Sequence, residues 1–212
     1  MKTYHKIKTL WAREDKKPHN MIIGKYSEPE FELLNNINWV ATEKVDGTNI
    51  RIMWDGNKVT FGGKTDTAQL PTKLFEKLTE LFAGEANEQK FEEILGAQEV
   101  CLYGEGFGGN IQCGGNYGDF DFVLFDIKID SWWLERKMIE DIAGKLDIKV
   151  VPIVRIGTLK ELSDLVSDGF QSQWGDFTCE GIVAKPEVEL KKRNGDRIIT
   201  KLKHRDFLKL TQ

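Results

Sequence analysis

The sequence has few of the residues that staple or interrupt a chain. Its three cysteines, Cys101, Cys113 and Cys179, are an odd number at no zinc-like spacing. That excludes a disulfide scaffold and reads as free thiols in a reducing compartment. The five prolines are scattered, and no segment repeats or falls into low complexity, so no linker divides the chain. No apolar run approaches the roughly 20 residues that span a bilayer. Residues 1–10 alternate lysine with apolar side chains instead of building a signal-peptide core. These absences predict a cytoplasmic protein with no membrane partner. Three histidines, His5, His19 and His204, form no metal-like pattern.

What is present is an ordinary globular balance, 40% hydrophobic and 30% charged over 212 residues. That length can bury a core unaided, and one domain over residues 1–212 is the simplest reading. A net charge of −4 argues against a nucleic-acid coat protein, but the charge is uneven. From Lys185 to Gln212 nine Lys/Arg face four Asp/Glu, a local +5 that leaves −9 for the remainder. Lys2, Lys6, Lys8, Arg13, Lys16 and Lys17 make the start of the chain basic as well.

Residues 49–54 alternate Ile50, Ile52 and Trp54 with Asn49, Arg51 and Met53, the period of a half-buried strand. Asp55-Gly56-Asn57 turns it into a second strand over 58–61. Leu74, Phe75, Leu78, Leu81 and Phe82 behind Pro71 predict a helix over 72–82, and Met138, Ile139, Ile142 and Leu146 predict another over 133–146. Further strands are expected over 99–103, 120–129, 149–156, 181–184 and 197–202, with a short helix over 159–166. Strands in adjacent groups with helices between the groups predict an α+β fold with largely antiparallel sheets. Trp11, Trp39, Trp132, Trp133 and Trp174 read as packing residues.

Five short segments carry the chemistry. In Glu43-Lys44-Val45-Asp46-Gly47-Thr48-Asn49 a lysine at the end of a β-favouring run precedes an Asp-Gly turn. Ordinary lysines titrate near 10.4, so about one in a few thousand is neutral at pH 7; a nucleophilic lysine needs desolvation or neighbouring positive charge. Tyr103-Gly104-Glu105-Gly106-Phe107-Gly108-Gly109 fits a G-x-G-x-x-G pattern, but the Gly- and Asn-rich residues that follow cannot open the helix a dinucleotide site requires. Glu105 is the informative residue there, read as an acid in a glycine-rich turn whose glycines admit a ligand. Phe122–Ile127 is an apolar strand with one internal acid, Asp126. Glu180–Lys185 is a strand opened by an acid and closed by a base. In Ile199-Thr200-Lys201-Leu202-Lys203 the two lysines share one strand face. Their repulsion calls for a shared anion, naturally a polyphosphate.

In this order the segments resemble the covalent nucleotidyltransferase superfamily of polynucleotide ligases and mRNA capping enzymes. Lys44-Val45-Asp46-Gly47 resembles its lysine motif, Gly104-Glu105-Gly106 and Phe125-Asp126 its central motifs, Glu180–Val183 and Lys201-Leu202-Lys203 its last two. Glu43 and Asn49 are similar to ATP-dependent RNA ligases of the phage type-2 clade, where an Arg-Thr pair usually stands at Lys64-Thr65. A lysine there keeps the charge but loses the planar fork.

The resemblance implies a ligase-type nucleotidyltransferase domain of two packed, mainly antiparallel sheets flanked by helices. No C-terminal OB domain is expected, and a partner domain or protein could replace it. Lys44, Lys201 and Lys203 become catalytic. Glu43, Asp46, Gly47, Asn49, Lys64, Glu105, Phe125, Glu180 and Lys185 become nucleotide-binding, with Glu105 on the ribose and Phe125 on the adenine. Glu180 becomes a ligand for Mg²⁺ or Mn²⁺, and ATP enters as covalent AMP. The implied partner is RNA with 5′-phosphate and 3′-hydroxyl ends, tracked by the basic C-terminal strand and N-terminus, and the resemblance is consistent with a phage protein in a host cytoplasm. A DNA ligase, a stand-alone adenylyltransferase, a guanylyltransferase and an inactive binding module are the alternatives.

Overall fold

The structure, a computed structural model, describes residues 3–112 and 114–210, so Cys113 and Lys2 lie outside the described residues. In chain order the first strands are β1 (Lys8–Thr9), β2 (Trp11–Arg13) and β3 (Met21–Tyr26), followed by helix α1 (Pro29–Leu33). Then come β4 (Trp39–Glu43), β5 (Thr48–Trp54), β6 (Val59–Gly62), α2 (Thr72–Phe82) and α3 (Glu85–Leu95). The central strands β7 (Val100–Phe107), β8 (Asp121–Ile129) and β9 (Trp132–Trp133) lead to α4 (Arg136–Leu146) and β10 (Lys149–Val150). The last elements are β11 (Ile153–Gly157), α5 (Leu159–Asp168), β12 (Gly181–Pro186), β13 (Thr200–Lys203) and α6 (His204–Leu208). The fold is α+β with mainly antiparallel pairing, as the grouping of strands predicts.

The chain forms two compact units, Met1–His5 with Asp46–Val151, and Lys6–Val45 with Pro152–Gln212. Both are discontinuous, which is why no linker shows in the sequence. The expected strand over 149–156 is split by this division. Pro152 has no N–H for a ladder; β10 before it pairs in parallel with β8, and β11 after it pairs antiparallel with β4.

In the first unit the sheet order is β10-β8-β7-β5-β6, with β9 beside β8. Ile50, Ile52 and Trp54 of β5 enter the core with Leu102, Phe122, Leu124 and Ile127. Leu74, Leu78 and Phe82 of α2 close it, one helical stripe at i, i+4 and i+8. The β5–β6 turn is held by Asp55 Oδ1, which accepts from the N–H of Asn57 at 2.9 Å and of Lys58 at 2.7 Å. Helix α3 carries a weaker apolar stripe, Phe91 and Leu95, and was not expected from the sequence.

In the second unit the order is β1-β13-β12-β4-β11, and β2 and β3 form a separate ribbon. The core packs Trp39, Ala41, Ile182, Ala184 and Leu202 from the sheet against Leu159, Leu162 and Val166 of α5. A capping box between Thr158 and Glu161 starts α5. Trp11, Trp39 and Trp54 are buried, while Trp132 is exposed. Among the described residues no helix is long and apolar enough to cross a membrane.

Burial pushes the Cys101 thiol up to about 11 and the Cys179 thiol up to about 12. In a Cys113→Ser background both thiols should therefore react with a disulfide reagent near pH 8 at least about a hundredfold more slowly than in urea. Stopped-flow absorbance checks this, and one fast native thiol would show that it is not buried.

Candidate active site

The second unit assembles a lysine face. Antiparallel register places Ile182 beside Glu43, Val183 beside Thr42 and Lys185 beside Val40. On the other side of β12, Gly181 pairs with Lys203 and Val183 with Lys201. Thr42, Val183, Lys185, Lys201 and Lys203 therefore share the face opposite the core. Lys44 follows β4 and continues its ladder, its backbone N–H donating to Gly181 O at 2.9 Å.

The Glu180 carboxylate supplies an anion on this face. Lys44 Nζ lies 2.6 Å from its Oε2 and Lys203 Nζ 2.5 Å from its Oε1. All three side chains are largely buried. Burial pulls the Glu180 carboxyl upward, but Lys44 and Lys203 outweigh it and hold the group below the usual carboxylate range. Gly181 makes the arrangement possible. Its φ of +152° is unfavourable for other residues, and a Cβ there would stand 2.0 Å from Leu202 O.

Glu43, expected on the nucleotide, is a correction. Strand alternation turns it to the core face, opposite Lys44, where it is 1% exposed. It accepts from Ser172 Oγ and, at 2.9 Å, from the Gln173 N–H. Glu43 thus anchors the turn that leads back to Cys179 and Glu180. Nothing in the local sequence signals Ser172 as its partner.

The remaining expected residues lie in the first unit. Asn49 pairs with Glu105 across β5 and β7, and Arg51 with Tyr103, on the face away from the core. Asn49 Oδ1 is buried with no hydrogen-bond partner among the described residues. Glu105 stands inside β7, not in a turn. Its flanking glycines face the core: a Cβ at Gly104 would meet Phe122 Cζ at 2.2 Å, and one at Gly106 would meet Leu74 at 2.6 Å. They make room for core side chains rather than for a ligand. No helix opens at Gly109; a 3₁₀ turn over Gly114–Tyr117 follows instead.

Gly47 is a close approach too, since its Cβ would sit 2.3 Å from Gly106 O. The Asp46 N–H donates to Tyr117 Oη at 3.1 Å. Phe125 is the extra residue of a β-bulge: Tyr103 pairs with Asp126 and Gly104 with Leu124, so Phe125 has no partner in β7. Lys64 is exposed on the loop after β6. Below it, Arg51 Nε donates to Gly63 O at 2.9 Å and Arg51 Nη2 to Asp66 Oδ1 at 2.7 Å.

Part of the basic termini is structural. Arg13 pairs with Asp206 at 2.5 Å, Lys192 with Glu28 at 2.6 Å, and Arg197 with Glu189 at 2.6 Å. Among the described residues no three His, Cys, Asp or Glu side chains come together to hold a metal ion. Glu180 offers one carboxylate, already shared by two ammonium groups. That donor set fits a divalent ion only together with phosphate oxygens of a substrate, as Mg²⁺ is commonly held.

The fold and the lysine face together define a protein suited to phosphate chemistry. A family model for RNA ligase matches residues 37–203, and the chain belongs to the RNA ligase family. Among solved structures it resembles a Naegleria gruberi RNA ligase, a lysine-to-methionine mutant with AMP and Mn, at TM-score 0.65 and 17% identity, covering 86% of this chain and 54% of that one. A lysine-to-alanine mutant of the same ligase with ATP and Mn gives TM-score 0.67 at 15% identity, covering 99% of this chain and 62% of the other. The ligase with pyrophosphate gives 0.65 at 18% identity, with 86% and 54% covered. At these identities the likeness is one of fold, and the chain spans little more than half the length of those ligases.

The depressed Glu180 carboxyl makes a pH prediction. Its contribution is fully present above the unfolded value near 4.5 and is lost as pH falls through the lower folded value. Glu180→Gln should cost about 2–3 kcal/mol near neutrality by leaving two buried ammonium groups without a counter-charge. The gap to wild type should narrow below pH 4.5. Urea unfolding at several pH values checks it, and a pH-independent gap would mean the ion pairs do not form.

Proposed function

We propose that this chain is an ATP-dependent RNA ligase that works through a covalent lysyl–AMP on Lys44. Its resemblance is to the phage type-2 clade, with both units, residues 1–212, serving one nucleotidyltransferase domain. The observation that carries the reading is the pair of lysines, Lys44 and Lys203, held by the single Glu180 carboxylate on a face that also bears Lys185 and Lys201. A triphosphate offers the same anionic character with more charge. It would take the ammonium groups over from Glu180, leaving that carboxylate for a divalent ion.

In the first step the Lys44 ammonium, displaced from Glu180 by the triphosphate, gives a proton to solvent. Its Nζ attacks the ATP α-phosphorus, the second proton leaving to solvent as the phosphoramidate forms. A P–N bond forms, the P–O bond to the β-phosphate breaks, and pyrophosphate leaves. Lys201 and Lys203 stabilise the charge that grows on the α-phosphate oxygens, and Lys185 adds a further positive charge. In the second step an oxygen of an RNA 5′-phosphate attacks the same phosphorus, the P–N bond breaks, and Lys44 is restored. In the third, a 3′-hydroxyl attacks the RNA phosphorus of the resulting 5′–5′ pyrophosphate and expels AMP.

Glu105 holds the ribose hydroxyls, beside Asn49 with its buried acceptor. Phe125 stacks on adenine. Asp46 and Gly47 carry the chain on from Lys44, and exposed Lys64 offers a point charge to phosphate. Mg²⁺ or Mn²⁺, held by Glu180 with substrate phosphates, withdraws charge from the α-phosphate when bound. The ATP, AMP and Mn present in the Naegleria structures support this choice of nucleotide and metal.

Intact-mass spectrometry after incubation with ATP and Mg²⁺, following pyrophosphate treatment to strip bound AMP, tests the proposal. An acid-labile AMP adduct is expected, absent from Lys44→Ala and weaker or absent with GTP. Transfer to nicked RNA over nicked DNA is expected next. No adduct with any nucleotide would overturn the enzyme reading.

A further inference from the structure

The bulge that presents Phe125 is held by a residue distant in sequence. Tyr4 Oη donates to Asp126 Oδ2 at 2.5 Å. The Tyr4 ring meets Phe125 with centroids 5.0 Å apart and planes at 75°. Tyr103 at 5.1 Å and Trp133 at 5.6 Å complete an aromatic cluster around it. All belong to the same unit.

A bulged residue has no cross-strand partner to fix its direction. In β8 the core-facing series Phe122, Leu124 resumes at Ile127, one residue late. Phe125 and Asp126 both fall in the gap, and the ladder constrains Phe125 least. Tyr4 constrains it twice. Its hydroxyl donates to the 2%-exposed Asp126, and its ring buttresses Phe125. The tilt makes Tyr4 a support at the edge, not the second wall of a sandwich.

The geometry points to Tyr4 as a positioning residue for nucleobase binding: it pins the β8 bulge so that Phe125 is held ready to stack on the purine. This rests on the reading of Phe125 as the adenine platform. The consequence is selective. Affinity for nucleotides that carry a base depends on Tyr4, while affinity for the phosphates alone does not.

Three measurements on the full chain separate the outcomes: lysyl–AMP formation against ATP concentration, binding of a fluorescent ethenoadenine nucleotide, and competition by inorganic pyrophosphate. Tyr4→Phe keeps the ring and removes the hydroxyl. It should raise KM for ATP, and Kd for the ethenoadenine nucleotide, about tenfold, the upper end of what one hydrogen bond contributes. The rate at saturating ATP and the affinity for pyrophosphate should hold within about twofold of wild type, inside the error usual for unrelated sites. Asp126→Asn keeps an acceptor for the hydroxyl and should give a smaller rise of the same kind, which serves if Tyr4→Phe does not fold. Unchanged KM and Kd in the folded variants would overturn the inference, as would an equal loss of pyrophosphate affinity, the mark of a merely structural role. If wild type binds the ethenoadenine nucleotide but forms no lysyl–AMP, the ligase reading fails while the binding arm still decides the role of Tyr4.

Discussion

The organisation of the lysine face depends on one carboxylate. Glu180 is placed between Lys44 and Lys203, and without it two ammonium groups would share a largely buried surface with nothing between them. The cost of such an arrangement is several kcal/mol in a low-dielectric setting, so the position of Glu180 constrains everything that delivers it. Gly181 lets the backbone pass Leu202 O closely enough for the carboxylate to reach the face. The His204 N–H donates to Glu180 O at 2.9 Å and ties it to the end of β13. Glu43, from the core side, holds the Ser172–Gln173 turn that leads into the same strand. A residue next to the candidate nucleophile in sequence thus serves the site from behind.

The other unit solves a different problem, that of aiming side chains from the partly buried face of its sheet. Arg51 and Asp126 are nearly inaccessible although they point away from the core. Both meet hydrogen-bond partners in the same unit, Arg51 at Gly63 O and Asp66 and Asp126 at Tyr4. The bulge in β8 then sets Phe125 and Asp126 off the normal alternation. Asn49 has a buried carbonyl oxygen that no described group satisfies. Buried acceptors of that kind are rare in folded proteins.

What the sequence made legible follows from period. Helices α2, α4 and α5 and strand β5 show strong 3.6- or 2-residue patterns, β8 and β12 show as short apolar runs, and all lie where the sequence puts them within a few residues. The shared face of Lys201 and Lys203 follows from the same rule. The misses have physical causes as well. The glycines around Glu105 were credited to a ligand because glycine in a sequence does not say which neighbour needs the space; here it is Phe122 and Leu74. The resemblance puts Glu43 on the nucleotide beside Lys44, whereas neighbours on a strand take opposite faces. Tyr4 and Ser172 act across separations of 122 and 129 residues, which no local pattern records.

The loop after β6 shows how a change of residue type can be read physically. The resemblance leads one to expect an arginine where Lys64 stands, and the fork of an arginine holds two oxygens at fixed spacing. In this chain a fork does act on the loop, but from beneath it. Arg51, 1% exposed, spends its Nε on Gly63 O and its Nη2 on Asp66, whose own side chain is 81% exposed. The guanidinium therefore ties the loop at Gly63 O and at the Asp66 side chain, on either side of Lys64. The lysine itself, exposed, contributes a point charge. Geometry and charge, combined in one side chain in the expected pattern, are divided here between two, so the direction of the loop and the sign of its potential can vary independently.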